Sequence, residues 1–312
     1  MKKVHIAIIA AVGRNDVIGN QGRVPWDIPE DRKHFASLTT GHTVVMGRKS
    51  WESLPTRFRP LPGRKNIVLT TSQTYEATGA IVCHSWEETL ELIRREKKKV
   101  FVIGGEEIYR KALPYTLSLH LTLVETQPEG DTHFPTLDEE EWRLANLANV
   151  GQSETGIKFS HQLYKRVSVK GDFVNLPNSR SDDQTRLMEK IRRAEVCPFC
   201  PEHILTYHEK PILRDGTWWM VTENRLAYEG AKLHLLLVYK KHARMLYEAS
   251  REAHKELVSH IKWVMETREL SGATLLWRFG ETHLTGGSVD HLHAHLVAGT
   301  GDPNQKIRAR IG

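Results

Sequence analysis

Three histidines near the C-terminal end have the spacing of one face of a β-strand. His291, His293 and His295 stand at every second position, and alternate side chains of a strand point to one face, roughly 7 Å apart. The segment Gly286-Gly287-Ser288 comes shortly before them, where glycines permit close backbone approach and a hydroxyl can contact a phosphate. The pattern predicts a site that suits a phosphate.

A pair of cysteines has the spacing found in metal sites. Cys197 and Cys200 are separated by two residues, and the chain has 3 cysteines in 312 residues, too few for a disulfide scaffold. Two thiolates do not complete a tetrahedral site, so two further ligands are needed. His203 and His208 are the nearest histidines in sequence, and a pair of buried thiols without metal is the alternative.

Three carboxylates near the N-terminal end are candidates for proton transfer. Asp27, Glu30 and Asp31 occur where a helix is predicted to begin, and Phe35 follows one turn later. A carboxylate in an apolar pocket is harder to ionise and can remain partly protonated near neutrality. From composition alone, any of the three acids could be the carboxylate that transfers a proton.

Glycines, hydroxyls and cations follow three predicted strands of the first half. The segments are Gly104-Gly105, Gly47-Arg48-Lys49-Ser50 and Thr70-Thr71-Ser72. Glycines at a strand-to-helix junction let the backbone approach a pyrophosphate. The cations Arg48 and Lys49 favour a phosphorylated ribose. Together the three segments predict a dinucleotide site that takes NADPH rather than NADH.

An α/β fold is predicted to position these residues. Nearly continuous apolar runs alternate with helical patterns in the first half, which is typical of a mostly parallel sheet flanked by helices. The predicted strands are 4–12, 43–46, 66–69, 80–83, 100–103, 118–124 and 159–166, and the predicted helices are 29–38, 86–98 and 106–112.

A second domain of the α+β class is predicted after a segment rich in turn formers and charges. We expect domains at 1–168 and 185–312, joined by a linker at 169–184. The second domain is predicted to contain a helix ending near Glu195, a hairpin-like region, strands at 233–238, 274–279 and 291–297, and a long helix over 245–270. Six residues support that helix by lying on one face: Leu246, Ala249, Ala253, Leu257, Ile261 and Val264.

Composition and charge limit the class of protein. The hydrophobic fraction of 39% and the charged fraction of 26% are typical of a soluble protein, and the net charge of +6 suits anionic ligands. The basic run at 94–99 has no interleaved aromatic residue, so we expect no nucleic-acid partner. The N-terminal apolar run ends at Val12 without a cleavage site, and no stretch reaches 18 apolar residues. We therefore expect a cytoplasmic protein without membrane association.

Six motifs of the first half resemble the dihydrofolate reductase family in order and spacing. They are 15–19 (NDVIG), 25–31 (PWDIPED), 45–53 (VMGRKSWES), 59–69 (RPLPGRKNIVL), 102–109 (VIGGEEIY) and 130–135 (GDTHFP). The resemblance covers residues 1–168. It implies the fold of that family and the NADPH-dependent reduction of 7,8-dihydrofolate to tetrahydrofolate.

The same resemblance assigns roles to individual residues. It selects Asp31 as the catalytic carboxylate, with Thr122 as its hydroxyl partner, and places Arg64 against the glutamate tail of folate. The apolar walls of the substrate site would be Ile9, Phe35, Leu61 and Ile103. The cofactor site would add Ala11, Ile18 and Tyr109 to Gly47, Arg48, Lys49, Ser50, Thr70, Thr71, Ser72, Gly104 and Gly105.

Residues 185–312 resemble the histidine-triad superfamily of nucleotide hydrolases and transferases. Besides the three histidines, the resemblance rests on Asn224, on 228–230 (YEG) and on 234–242 (HLLLVYKKH). It implies that His293 attacks an α-phosphorus to form a nucleotidyl-imidazole intermediate. His295 and Ser288 would bind the phosphate or the leaving group, and Asn224 the ribose.

The metal-bearing branch of this superfamily implies a complete zinc site. The ligands that match are Cys197, Cys200, His242 and His291, which would hold a structural Zn²⁺. Domains of this superfamily often self-associate, so a homodimer through this domain is expected as one possibility.

Two departures from the superfamily pattern leave the activity of this domain open. Gly287 stands where the hydrolases usually have a glutamine that orients the leaving group, and Tyr239 replaces the usual proline. One hypothesis is that the domain hydrolyses or transfers nucleotides, even as the main activity of the chain. The alternative is a nucleotide-binding or dimerisation module without turnover.

Overall fold

The chain divides into two compact units. The computed structural model describes residues 4–167, 170–302 and 304–309, and the division between the units falls at residues 168 and 169. We call them the N-terminal unit and the C-terminal unit. Among the described residues, no helix combines the length and the apolar character that crossing a bilayer requires.

The N-terminal unit is built around a mixed, mostly parallel sheet. Its strands are β1 (Ile6–Gly13), β2 (Val17–Gly19), β3 (Thr43–Gly47), β4 (Lys65–Leu69), β5 (Ile81–Cys83), β6 (Val100–Val102), β7 (Ser118–Val124), β8 (Thr132–His133), β9 (Trp142–Gln152) and β10 (Lys158–Arg166). The eight-stranded sheet has the order β5-β4-β3-β6-β1-β7-β10-β9, in which the first six strands are parallel to one another and β10 is antiparallel to both of its neighbours, β7 and β9. The predicted mostly parallel sheet is confirmed.

Four helices connect or flank these strands: α1 (Pro29–Thr39), α2 (Arg48–Ser53), α3 (Trp86–Arg95) and α4 (Glu106–Ala112). The helix predicted at 86–98 ends earlier because the chain turns extended at Glu96, whose N–H bonds the carbonyl of Ile93.

Strand β9 was missed by the sequence analysis. It lies at the edge of the sheet and pairs with β10 alone, with two register shifts. Its apolar residues Leu144, Leu147 and Val150 are exposed and stand three positions apart. A strand with one partner and little burial lacks the strict alternation by which half-buried strands are recognised.

The C-terminal unit contains a separate antiparallel sheet with helices. Its helices are α5 (Asp182–Ala194), α6 (Pro201–Tyr207), α7 (Arg251–Thr267) and α8 (Thr282–Thr285), and its strands are β11 (Ile212–Asp215), β12 (Trp219–Glu223), β13 (Ala231–Tyr239), β14 (Thr274–Arg278) and β15 (His293–Gly299). The strand order is β11-β12-β13-β15-β14. Helix α7 packs Leu257 and Val264 against Trp219, Leu235 and Leu296 in one core.

Two elements of this unit begin later than the sequence predicted. The helix expected over 245–270 begins at Arg251, because the Ser250 hydroxyl caps it by accepting the N–H of Ala253 at 3.1 Å. Leu246 and Ala249 therefore precede the helix. The strand expected over 291–297 begins at His293, so His291 lies in the segment that leads into it.

Part of the segment placed in the linker packs on the C-terminal unit. Phe173 and Val174 are buried, and Val174 forms an antiparallel bridge with Val289. The amide of Asn178 donates to the carbonyl of Gly287 at 2.7 Å, and Ser181 caps α5. The apolar pair and these bonds explain why residues 173–181 differ from an open linker.

Candidate functional sites

The predicted dinucleotide-binding segments lie at one edge of the N-terminal sheet. β4, β3, β6 and β1 are parallel neighbours, so their carboxyl ends meet at the same edge. That edge carries Thr70-Thr71-Ser72 after β4, Gly47-Arg48-Lys49-Ser50 after β3, and Gly104-Gly105 after β6. Ala11 lies on β1 at this end, whereas Ile18 lies on the short β2 outside the large sheet.

Glycine is required where two of these segments touch. The N–H of Gly47 donates to the carbonyl of Gly104 at 2.7 Å. A Cβ added at Gly104 or Gly105 would lie 3.3 Å from the Ser50 hydroxyl, and Gly104 has a φ of 122°. Tyr109 closes the site from α4 by donating its hydroxyl to the carbonyl of Ile9 at 2.9 Å. The arrangement forms a cradle with little room for side chains.

The predicted substrate walls belong to one hydrophobic cluster. Ile9 and Leu61 are buried in it, and Phe35 and Ile103 pack against it. Arg64 lies at its margin, where the guanidinium carbon is 5.7 Å from the centre of the Phe35 ring and Nη1 donates to the Thr39 hydroxyl at 3.1 Å. An arginine fork beside an apolar wall suits a ligand with an apolar body and a carboxylate tail.

Asp31 and Glu30 are both half-buried, and Asp31 is the one of the three candidate acids that bonds a hydroxyl of the sheet. Its Oδ1 accepts a hydrogen bond from the Thr122 hydroxyl at 2.5 Å. Burial raises the pKa of Asp31 above the usual 3.8, and the hydrogen bond from Thr122 and the charges of His34 and Arg32 offset part of that rise. The rival Asp27 is exposed and pairs with Arg32.

Two histidines beside Asp31 were missed by the sequence analysis. Nε2 of His161 lies 3.8 Å from Oδ1 of Asp31, and the His161 ring stacks on His34 with centroids 3.8 Å apart. Burial lowers the pKa of His161 to about 4, so the ring is neutral at pH 7. His34 could have been found from its position three residues after Asp31 on a helix. His161 could not, because only the sheet register sets it opposite Thr122.

The C-terminal unit gathers two cysteines and two histidines into one cluster. The ligand atoms of Cys197, Cys200, His242 and His291 all lie within 4.8 Å of one another. Sγ of Cys197 is 3.2 Å from Nδ1 of His291, and Sγ of Cys200 is 3.5 Å from Nδ1 of His242. His291 donates from Nε2 to the carbonyl of Tyr239 at 2.7 Å, which leaves Nδ1 to accept.

The electrostatics of this cluster favour a thiolate. Burial alone would raise the pKa of Cys197, but its contacts with Cys200, His291 and His242 outweigh burial and lower that pKa well below its usual range. The alternative ligand His208 has its Nε2 2.9 Å from the Thr222 hydroxyl instead. His203, the other alternative, has its Nε2 4.0 Å from Glu202.

A cavity of about 110 Å³ in the same unit brings together the remaining predicted residues. His293, His295, Asn224 and Ser288 line it. His293 donates from Nδ1 to the carbonyl of His291 at 2.6 Å, so Nε2 is the basic nitrogen. Burial lowers the pKa of His293 to about 4, which keeps Nε2 unprotonated and nucleophilic at pH 7.

Arg278 and His234 also contribute to this site, and neither has a role predicted from the sequence. His234 lies beside His295, with its Nε2 2.8 Å from Nδ1 of His295. Arg278 donates from Nε to Nε2 of His295 at 3.1 Å. His234 carried a signal, since it stands in a motif of the resemblance. Arg278 carried none, because nothing in its neighbourhood marks the last residue of an edge strand as part of a cavity.

Comparison with known proteins identifies the N-terminal unit. The dihydrofolate reductase family model matches residues 5–166. The chain is 39% identical over 170 residues to a dihydrofolate reductase of Mycobacterium tuberculosis (52% of this chain, 98% of that protein) and 40% identical over 161 residues to one of Neisseria meningitidis, with the same coverage.

A solved structure gives the same assignment. Dihydrofolate reductase from Enterococcus faecalis, complexed with NADP(H) and RAB-propyl, superposes with a TM-score of 0.50 at 32% identity, covering 53% of this chain and 98% of that chain. The chain therefore belongs to the dihydrofolate reductase family, and its N-terminal unit carries the NADPH-dependent reductase activity of that family.

Proposed function

We propose that Asp31 is the catalytic carboxylate of the reductase and that Thr122 positions it. The observation that carries the proposal is the hydrogen bond from the Thr122 hydroxyl on β7 to this half-buried acid, whose pKa is raised by burial. The edge of a dihydropterin ring presents paired N–H donors, which a single carboxylate accepts with both oxygens. Asp31 would hold the ring in this way when it is ionised, and its raised pKa would let it take up a proton from solvent near neutrality and pass it to the ring nitrogen to be reduced.

The other residues of the unit bind and orient the two reactants. Arg64 would pair with the carboxylate tail of folate while Ile9, Phe35, Leu61 and Ile103 contact the rings. The Gly104-Gly105 cradle would receive the diphosphate of NADPH, and Arg48 with Lys49 the phosphate on its ribose. NADPH supplies the hydride, and the apolar walls exclude water from the place where it is transferred.

Replacing Asp31 by Asn should abolish turnover without unfolding the protein. We expect dihydrofolate reduction at pH 7 to fall at least about 100-fold, the range for losing a general acid, with NADPH binding nearly unchanged. Steady-state NADPH oxidation and fluorescence titration with NADPH measure the two quantities. Asp27→Asn, which changes an exposed acid on the same segment, is the matched control and should keep activity within about twofold.

The stability of the same variant has a predicted pH dependence. The pKa of Asp31 is higher in the folded protein than in the unfolded protein. The contribution of Asp31 to the free energy of unfolding is therefore complete below the unfolded pKa near 3.8, and it is lost as the pH rises through the folded pKa. Asp31→Asn should therefore be at least as stable as the wild type at pH 7, with no such advantage at pH 3.5. Full activity of the variant, or a loss of stability at pH 7, would contradict the assignment.

For the C-terminal unit, we propose a structural Zn²⁺ held by Cys197, Cys200, His242 and His291. Two thiolates and two imidazole nitrogens are a donor set that suits tetrahedral zinc. The hydrogen bond from His291 to Tyr239 supports the proposal because it fixes the tautomer that a ligand needs. The metal would connect the segment that precedes α6 to the segments that follow β13 and precede β15.

Metal content tests this proposal directly. Purified protein should contain about one zinc per chain by elemental analysis, and Cys197→Ser should lose it, with a lower melting temperature, because three ligands do not complete the site. Cys83→Ser is the control, since Cys83 is the buried cysteine of the other unit. Equal zinc in the wild type and in Cys197→Ser would refute the site, and loss of zinc in His208→Ala would favour the alternative ligand.

We also propose that the cavity of the C-terminal unit binds a nucleotide and that His293 is its nucleophile. The support is the basic, unprotonated Nε2 of His293 in a cavity shared with Ser288, His295 and Asn224. His293 would attack the α-phosphorus, forming a P–N bond as the P–O or P–N bond to the leaving group breaks. Gly287 supports the second candidate, a binding module, because it has no amide to orient that leaving group.

Turnover of an adenylated substrate separates the two candidates. With adenosine 5′-phosphoramidate or diadenosine polyphosphates, we expect AMP release by the wild type and a loss of at least about 100-fold in His293→Ala. His283→Ala changes an exposed histidine of α8 and should behave as the wild type. If wild type and His293→Ala release AMP equally slowly while both bind it, the unit is a binding module.

A further inference from the structure

Two stacked histidines lie against Asp31 in the N-terminal unit, and the mechanism proposed above uses neither of them. His34 follows Asp31 by three positions on α1, so both side chains are on one side of the helix. His161 lies on β10 opposite Thr122, the residue that bonds Asp31. The two imidazole planes are inclined by 12° with ring centroids 3.8 Å apart, and Nε2 of His161 is 3.8 Å from Oδ1 of Asp31. The stack therefore fixes the His34 ring beside the carboxylate.

The stack has room for one positive charge, and its two rings differ in their access to water. Two imidazolium rings at this separation would repel each other strongly. His161 has 7% of its surface exposed, whereas His34 is half-buried. Burial, together with the charge of His34, lowers the pKa of His161 to about 4. When the stack takes up a proton, His34 is therefore the ring that carries it.

The charges of His34 and Asp31 stabilise each other. Burial lowers the pKa of His34, and the negative charge of Asp31 raises it in part. Burial raises the pKa of Asp31, and the hydrogen bond from Thr122 and the charge of His34 lower it in part. Burial thus moves the two pKa values toward each other, because it disfavours the charged form of both groups. Two interacting groups with similar pKa values titrate as a pair.

The other ionisable groups that act on this pair keep a constant charge near neutrality. Arg32 stays cationic on α1 and lowers the pKa of Asp31 at every pH in this range. On β7, burial lowers the pKa of His120 to about 4, so that ring is neutral. On α4, burial raises the pKa of the Tyr109 hydroxyl, which is neutral as well. Of these groups, His34 is the one whose charge can change with that of Asp31.

We propose that His34, held by its stack on His161, is a positioning residue of the reductase that shares one proton with Asp31. With the proton on His34, the ionised carboxylate accepts the paired N–H donors of the pterin ring. With the proton on Asp31, the carboxyl gives it to the ring nitrogen, and solvent restores it to the pair. The observation that carries the inference is the stack that fixes His34 beside Asp31. The inference deepens the proposed role of Asp31 and rests on it.

Reciprocal titrations in the full-length protein test the shared proton. The ¹³C-labelled carboxyl of Asp31 and the ¹⁵N-labelled ring of His34 are followed against pH without ligand, and Asp31→Asn and His34→Phe assign the two signals. His34→Phe keeps an aromatic ring on the stack and removes the charge. The pKa of Asp31 should then rise by roughly 0.5 to 1 pH unit, less than for a fully buried opposite charge because His34 is half-buried. Asp31→Asn should lower the pKa of His34 by a similar amount, because coupling between two sites is reciprocal.

Two further variants separate the charge of His34 from other effects. Lys33→Gln removes a cation from the exposed neighbouring position of α1 and should leave the pKa of Asp31 within about 0.2 pH unit of the wild type. His161→Phe keeps the stack and removes an imidazole that is neutral at pH 7. The pKa of Asp31 in that variant should stay within about 0.3 pH unit of the wild type, because no charge is lost near neutrality.

The pH profile of hydride transfer gives a readout in the reaction itself. The single-turnover rate of NADPH oxidation, measured by stopped flow, should fall as the pH rises through the pKa of Asp31, because the carboxyl must be protonated. In His34→Phe the midpoint of this profile should move to higher pH, whereas in Lys33→Gln it should not move. The KM for dihydrofolate should rise in His34→Phe, most strongly at low pH, because less of Asp31 is ionised there.

The outcomes separate this inference from the function on which it rests. An equal pKa of Asp31 in His34→Phe and Lys33→Gln, or a pH profile that does not move in His34→Phe, would overturn the role of His34 and leave Asp31 as the catalytic carboxylate. Full reductase activity of Asp31→Asn would remove the proposed function and this inference together. Melting temperatures of the variants within a few degrees of the wild type would show that the differences are not due to unfolding.

Discussion

In the proposed mechanism, the chemistry of the N-terminal unit depends on the hydrogen bond between Thr122 and Asp31. Burial disfavours the ionised carboxylate, and the hydroxyl partly restores it. The balance of the two sets how much of Asp31 is protonated near neutrality. Because Asp31 is on α1 and Thr122 on β7, the balance exists only when the helix is docked on the sheet. The strand order of the sheet therefore determines where the protonated carboxyl group of Asp31 lies.

Neutral histidines are the common theme of the two units. His161 lies beside Asp31, His293 and His295 line the cavity of the C-terminal unit, and His234 contacts His295. Burial lowers the pKa values of all four. A neutral imidazole has one donor nitrogen and one acceptor nitrogen, so its orientation determines where a site donates and where it accepts a hydrogen bond. Main-chain groups set this orientation; for example, the carbonyl of His291 accepts from Nδ1 of His293 and so fixes the tautomer of that ring. Burial therefore turns these side chains from charges into oriented bases and donors.

Much of the fold could be predicted from the sequence, and the failures have physical causes. The apolar runs that became β1, β3, β4 and β6 are buried on both faces, so their pattern is strong. β9 has one partner and an exposed face, so its pattern is weak. The beginning of α7 depends on the Ser250 cap, which hydrophobic periodicity does not register.

The residues of the candidate sites also differ in whether the sequence alone indicates them. Local motifs indicated the glycine segments and a group of three acids, whereas the choice of Asp31 among those acids needed the family resemblance, and residues distant in sequence needed either that resemblance or the fold. His242 and His291 stand 42 and 91 residues from Cys200, and no spacing rule connects them. The position of His161 beside Asp31 depends on the sheet register. The position of Arg278 depends on the direction in which a side chain at the end of the edge strand points. Positions set by strand pairing are those that a single sequence leaves undetermined.

The pKa of Asp31 in the ligand-free protein tests the central claim most directly. A pH titration of the ¹³C-labelled aspartate carboxyl carbons, with Asp31→Asn to assign the resonance, should give a pKa above 3.8. In Thr122→Val that pKa should rise further, because the variant removes the donor that stabilises the ionised form. A value at or below 3.8 in the wild type, or a decrease in Thr122→Val, would contradict the account.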